Sequence, residues 1–382
     1  MGLQFGKSKC EKMHIGKKRV NSDCCVDFEV DSWNDKLLKN VDNVYTLENS
    51  FAGKEKMKEV QEKKYLGDII SSDGTNRKNI KDRTDKAVGN VNKIVSSLQE
   101  RPYGKHSYLA ASLMRDAMLL GGMLSNSEAW INVTKADLTS LQKPDTFLQK
   151  ELLSASGNPS NAFMSLELGF IPVKYVIMYK RLTFLHYILS QNIDSMIKQV
   201  YIALKSESRR GDFHDQVVQD KKETNITFNE KEISDHTHNQ WKTIVKSRVK
   251  ELALRNLIEE NSTKEKTKHI EFKELKISEY LRINTNSQIS KIIFSIRSKT
   301  FDIKVWQEWK YNDNACVACS VNAEDMDHFL QCQAYENCPQ ENNWKIILED
   351  HPEQQVSIAK VAQKRMKYRL KLLEIKVAGL TL

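Results

Sequence analysis

The segment "NACVACSVNAEDMDHFLQC", Asn314 to Cys332, sets three cysteines and a histidine in the pattern C-x2-C-x8-H-x3-C. Nothing else in the chain limits its folding as tightly, because four ligand side chains have to meet at one point. Two residues between Cys316 and Cys319 let a tight knuckle aim two thiolates together. Three residues between His328 and Cys332 put imidazole and thiolate one turn apart on a helix face. Four N/S donors without a water describe a closed, structural zinc site, whereas a catalytic zinc keeps an open position. Asp325 and Asp327 stand where they would cap the helix carrying His328 and back up its ligands. A redox dithiol in "CVAC" is the competing reading. Cys338 lies close by but outside the pattern, and Cys10, Cys24 and Cys25 are distant thiols.

Residues 311 to 335 carry few large apolar side chains, chiefly Val317, Val321, Met326, Phe329 and Leu330. That is too little burial to order the segment unaided, so metal ligation is expected to supply the difference. Upstream, Lys304, Trp306, Trp309, Lys310 and Tyr311 mix cations with aromatic rings. Such a mixture suits stacking on single-stranded nucleic acid, or packing of the tryptophans against the knuckle.

A chain of 382 residues is long enough for two or three packed units. Its formal charge of +9 favours polyanionic partners such as RNA or DNA. No apolar run approaches the roughly 18 residues of a membrane span and no signal core opens the sequence, so a soluble, intracellular protein with no membrane partner is expected. Seven cysteines, an odd number, then read as thiols or ligands rather than disulfides.

Hydrophobic periodicity predicts an α+β, mostly α protein. Residues 1–75 read as short strands and hairpins, with "KKYLGDIISSDG" as a strand stopped at Asp73-Gly74. Residues 76–200 read as a helical bundle, opened by Ile80, Thr84, Ala87, Val91, Ile94 and Leu98 and broken at Gly121-Gly122, "SGNPSN" and Pro172. Residues 201–238 are polar and nearly without aromatics, as in a linker or surface insertion. Helices are expected again over 239–260 and 286–310, in a C-terminal region, 239–382, that holds the knuckle at 314–335. In its tail, Ile358, Ala362, Met366, Leu370, Leu373 and Val377 form an apolar stripe. Lys360, Lys364, Arg365, Lys367, Arg369, Lys371 and Lys376 cover the rest of that helix. The stripe needs a surface, either the chain's own bundle or a protein partner.

The order "GLQFGKSKCEKMHIG", "KKYLGDIISSDG", "LMRDAMLLGGMLSNSEAWINVTKADLTSLQ" and "SLELGFIPVKYVIMYKRLTFLHYIL", ending in the C-x2-C-x8-H-x3-C cluster, resembles the C-terminal part of non-LTR (LINE-like) retrotransposon reverse transcriptases. The resemblance covers about residues 1–195 and 286–340. It implies a late palm hairpin over Gly2 to Gly16, with Lys9 beside the incoming nucleotide, and a primer-grip turn at Tyr65, Leu66 and Gly67. It also implies a thumb from Asn76 onward, whose first helix would offer Arg77, Lys78, Lys81, Arg83 and Lys86 to phosphates. A solvated basic face is the alternative for each of these cations.

The departure from that family concerns its chemistry. Polymerisation needs carboxylates that hold two Mg²⁺ ions, supplied in the family by an aromatic-x-Asp-Asp turn before the palm hairpin. No Asp-Asp pair occurs in the sequence, so a non-catalytic fragment is expected, and Mg²⁺ only in a full-length catalytic relative. "KPD" at Lys143 to Asp145 lacks the later Asp/Glu-x-Lys of a restriction-type nuclease and sits in a helical period, while His236 and His238 lie in the polar stretch. The alternative function is a helical zinc-knuckle module that binds a protein or RNA partner, the protein through the basic C-terminal helix.

Overall fold

The computed structural model describes residues 11–12, 58–59, 61–65, 67–99, 107–156, 158–207, 209–283, 286–349 and 351–377. Lys9, Leu66, Cys10, Cys24 and Cys25 lie outside them. The chain divides into two units, Met1–Lys81 and Asp82–Leu382.

In the first unit β1 (Glu11–Lys12) and β2 (Lys58–Glu59) pair in parallel. Strands β3 (Glu62–Tyr65) and β4 (Asp68–Ser71) form an antiparallel hairpin in which Tyr65 faces Asp68. The stretch read as one strand therefore folds back on itself. Gly67 takes φ +93°, a conformation open to glycine and costly for other residues, so the chain turns there first, and again after Ser71, where Gly74 (φ +68°) donates to Ser71 O at 3.0 Å and ends the strand at the expected Asp73-Gly74. Asn79, near the start of helix α1 (Arg77–Gln99), ties the hairpin down: its Oδ1 accepts from Ile69 N and its Nδ2 donates to Asp68 Oδ1.

The second unit is helical. Helix α2 (Ser107–Met114) runs on as a π-helix over Arg115–Leu120 and an α-turn over Gly121–Met123. The glycine pair expected to break this helix lies inside it. The wider π-turn is held by Gly121 N donating to Asp116 O and by Asn90 Nδ2 donating to Met118 O at 3.0 Å. Helix α3 (Lys135–Leu153) starts with a Thr134–Asp137 capping box and carries Pro144 inside. It is followed by α4 (Asn161–Leu168), which ends at Gly169 (φ +66°). A Cβ there would stand 2.5 Å from Lys276 C, so only glycine allows the backbones to meet.

Helix α5 (Val173–Leu189), apolar nearly all round, is the centre of the core. Helix α9 (His238–Ser262) packs along it through Trp241, Val245, Val249 and Leu252, all buried, with Trp241 Nε1 donating to Leu182 O at 2.8 Å. Residues 201–238, expected as a linker, complete α6 (Met196–Glu207) and form α7 (Phe213–Glu223) and α8 (Glu230–Asp235). Phe213, Val217, Ile226 and Ile233 from this stretch are buried in the same core. The mean polarity of the segment hid four well-spaced apolar anchors, and those anchors decide where a helix packs.

Beyond α9 come α10 (Glu279–Ile283) and α11 (Ser287–Arg297). The latter stops thirteen residues before the expected boundary, at a turn with Lys299 in the left-handed region (φ 50°). The metal-ligand segment follows with α12 (Met326–Gln331), and α13 (Pro352–Val377) closes the described chain. No single described helix is long and apolar enough to cross a membrane.

Candidate metal centre

The local fold of residues 314–332 explains how the four donors converge. Ala315 and Ala323 face each other in an antiparallel bridge. Cys316 N donates to Asn322 O at 2.7 Å and Ser320 N to Cys316 O at 2.9 Å, with Ser320 at φ 57°. These bonds make a hairpin knuckle that turns Cys316 and Cys319 the same way. Asp325 then caps α12, its Oδ1 accepting from His328 N at 2.7 Å. Cys332 N donates to His328 O at 2.7 Å, so the two ligands of this half stand one turn apart.

The ligand atoms of Cys316, Cys319, His328 and Cys332 all lie within 4.8 Å of one another, and this cluster could hold a metal ion. Cys316 Sγ is 3.9 Å from Cys332 Sγ, and Cys319 Sγ is 3.3 Å from His328 Nε2. Cys316 and Cys332 are buried, while Cys319 and His328 are partly exposed. Burial opposes ionisation of Cys319, but the N–H groups of Asn322 and Val321, with His328 and Cys316, outweigh it and bring the thiol down to about 6. Burial pushes the Cys332 thiol up to about 11, opposed by Ala334 N–H and reinforced by the other cysteines. A cation at the centre would relieve that mutual thiolate repulsion.

What holds this segment to the protein is a pair of buried arginines on α13. Arg369 donates from Nε to both Glu324 carboxylate oxygens (3.0 and 3.1 Å) and from Nη2 to Oε2 at 2.8 Å. Both side chains are fully buried. Glu324 also accepts from Val317 N, Lys304 N and Tyr335 O–H, so one carboxylate joins the knuckle, the chain before it and the chain after it. Arg365 donates to Phe329 O at 2.8 Å and to Cys332 O at 3.1 Å, carbonyls that the end of α12 leaves without helical partners. Asp327, expected to back up the ligands, instead accepts from Trp344 Nε1 at 2.9 Å.

The segment is therefore not ordered by metal alone. Val317, Met326, Phe329, Leu330 and Tyr335 are buried, with Phe329 edge-on to Phe301 and Tyr335. Val321 is 80% exposed at the knuckle tip. Sequence reasoning missed Glu324, Arg365 and Arg369 as determinants of the site. The signal available was two arginines four residues apart in a helix whose other basic residues are all lysine.

The cations expected on α1 are divided by their surroundings. Arg83 is buried; it donates to Gly122 O at 2.9 Å and lies over the Trp130 ring, which corrects its reading as a phosphate contact. Lys78 pairs with Glu62 and Lys86 with Asp82, while Arg77 and Lys81 are exposed. Tyr65 is exposed beside the Gly67 turn. Of the aromatic residues before the knuckle, Trp306 packs edge-on against Trp344, whereas Trp309 is 81% exposed. Lys304 and Lys310 are paired with Asp313 and Asp302. Asp145 of "KPD" is fully buried and holds Arg115 at 2.5 and 2.9 Å, an arrangement without an open face for a substrate. Comparisons with protein-family models, with curated proteins and with solved structures find no match for this chain.

Proposed function

We propose that this chain is a non-catalytic nucleic-acid-binding module organised by a structural zinc ion, akin to the C-terminal part of a non-LTR retrotransposon reverse transcriptase. The observation that carries the reading is the convergence of Cys316, Cys319, His328 and Cys332. Tetrahedral zinc holds sulfur at about 2.3 Å and nitrogen at about 2.0–2.1 Å, which sets neighbouring donors about 3.5–3.8 Å apart. The separations of 3.9 and 3.3 Å in the structure need only small adjustment to meet that geometry. Four protein donors leave no position for a substrate or an activated water, so the ion's role is to hold the knuckle against α13.

The purified chain is expected to contain about one zinc per molecule, lost in Cys316→Ser and His328→Ala, with Cys319 and Cys332 protected from alkylation. Primer extension on an RNA template with Mg²⁺ or Mn²⁺ is expected to yield no product. A zinc-free native protein, or template-dependent synthesis, would overturn the reading.

The alternative, a module that binds a protein through its C-terminal helix, loses its original motive. Ile358 and Ala362 of the expected stripe are buried, as is neighbouring Leu372, while Met366 and Leu373 are half-buried and Leu370 is exposed.

A further inference from the structure

Helix α13 carries seven basic residues against two acidic ones, and the fold sorts the basic residues by type. Arg365 and Arg369 are fully buried and committed to the metal segment. Lys360, Lys364, Lys367 and Lys371 are all exposed. Their spacing of four, three and four residues puts them on one face, a ridge about 16 Å long at 1.5 Å per residue. None of the four forms a salt bridge among the described residues, in contrast to Lys78, Lys86, Lys304 and Lys310. Glu353 and Glu374 bracket the ridge without interrupting it. On α11, Gln288 accepts from Gln363 of α13 at 2.9 Å. Exposed Lys291 lies one turn along α11 from Gln288, on the helix that this bond ties to α13.

The metal segment has the opposite character. Tyr311 to Glu341 contains six carboxylates, Asp313, Glu324, Asp325, Asp327, Glu336 and Glu341, and no lysine or arginine. Three thiolates around a divalent ion would add one more negative charge. A phosphate backbone approaching the knuckle meets repulsion, and one approaching α13 meets unpaired ammonium groups.

We propose that the lysine ridge of α13 is the surface on which this protein binds the phosphate backbone of nucleic acid. The inference rests on the reading of the chain as a nucleic-acid-binding module and names the surface responsible. A ridge about 16 Å long matches about five phosphate levels of one strand at 3.4 Å each. A protein partner fits this face less well: its core contacts would need aromatic residues or arginine, and the arginines here are buried while lysine is a poor interface residue. A membrane surface fits less well too, because the apolar side of α13 is already covered by the chain itself. In this arrangement the zinc segment acts indirectly, as the clamp that holds the ridge in place.

The experiment is titration of zinc-loaded full-length protein against a short labelled single-stranded RNA and a DNA duplex over a range of salt concentrations. Changing Lys360, Lys364, Lys367 and Lys371 together to Gln is expected to weaken binding roughly a hundredfold or more and to reduce the salt slope by about 3. Lys81→Gln with Lys86→Gln on α1 is expected to have a far smaller effect, and zinc content and circular dichroism should match the unaltered protein in both variants. Single Lys→Gln changes, each about fivefold weaker, test the ridge even if the quadruple variant misfolds. Unchanged binding by the ridge variants, or loss on changing α1 alone, overturns the proposal and leaves the module reading standing. Failure of the unaltered protein to bind either nucleic acid, or capture by phosphatidylserine vesicles instead, removes both.

Discussion

Around α5 and α9, Trp241, Leu182, Val245, Val249, Leu185 and Phe213 are buried in one continuous apolar cluster. Across residues 311–335, by comparison, five sizeable side chains are buried, and the rest of the ordering falls to four ligand groups and the Glu324–Arg369 pair. Both regions contain buried ion pairs, but in different roles. Arg115–Asp145 and Arg181–Asp220 sit within a bundle whose apolar area already favours the fold. Glu324–Arg369, beside the Arg365 bonds to Phe329 O and Cys332 O, joins a segment with little apolar area of its own to α13. Similar charge pairs supplement a large apolar core in one region and carry a larger share of the ordering in the other, according to how much apolar area surrounds them.

Metal removal separates the two regions most sharply. Structural zinc in small knuckles contributes about 10–16 kcal/mol at neutral pH. Chelation is therefore expected to unfold residues 314–332 and loosen α13, with hydrogen exchange rising in both and staying slow in α5 and α9. Equal loss of protection in α9 would show that the bundle depends on the metal as much as the knuckle does.

Removing one partner of a buried pair comes next. Glu324→Ala leaves buried Arg369 with only the longer contact to half-exposed Asp302 (3.9 Å) as a counter-charge and is expected to destabilise by about 3 kcal/mol. It should also weaken zinc retention in a chelator competition. Trp241→Ala is expected to cost a similar 3–5 kcal/mol through a core cavity. Its effect should appear in thermal unfolding of the bundle and leave zinc affinity unchanged. A Trp241→Ala protein that sheds zinc as readily as Glu324→Ala would show that the regions are one cooperative unit.

The smallest effect sharpens the bundle side alone. Thr237 caps α9 through a box with Gln240, and Thr237→Ala is expected to cost about 1 kcal/mol. Its signature is a lowered midpoint in urea with the zinc content of the unaltered protein.

The convergence of Cys316, Cys319, His328 and Cys332 into a cluster that could hold a metal ion was legible in the sequence, because C-x2-C and H-x3-C encode a turn and a helix face over spans of three and four residues. The mostly helical character and the breaks at "SGNPSN" and Pro172, which separate α3, α4 and α5, were legible for the same reason: proline, glycine and apolar period act within a few residues. Features that depend on packing involve partners far apart in the chain. Glu324 finds Arg369 across 45 positions, and Arg297 finds Glu167 across 130. The polar stretch 201–238 became part of the core because Phe213, Val217, Ile226 and Ile233 had α5 and α9 to pack against. The basic residues of α13 looked alike in sequence; packing drew in the two arginines, whose planar forks can satisfy a buried carboxylate and two carbonyls, and left the lysines in water.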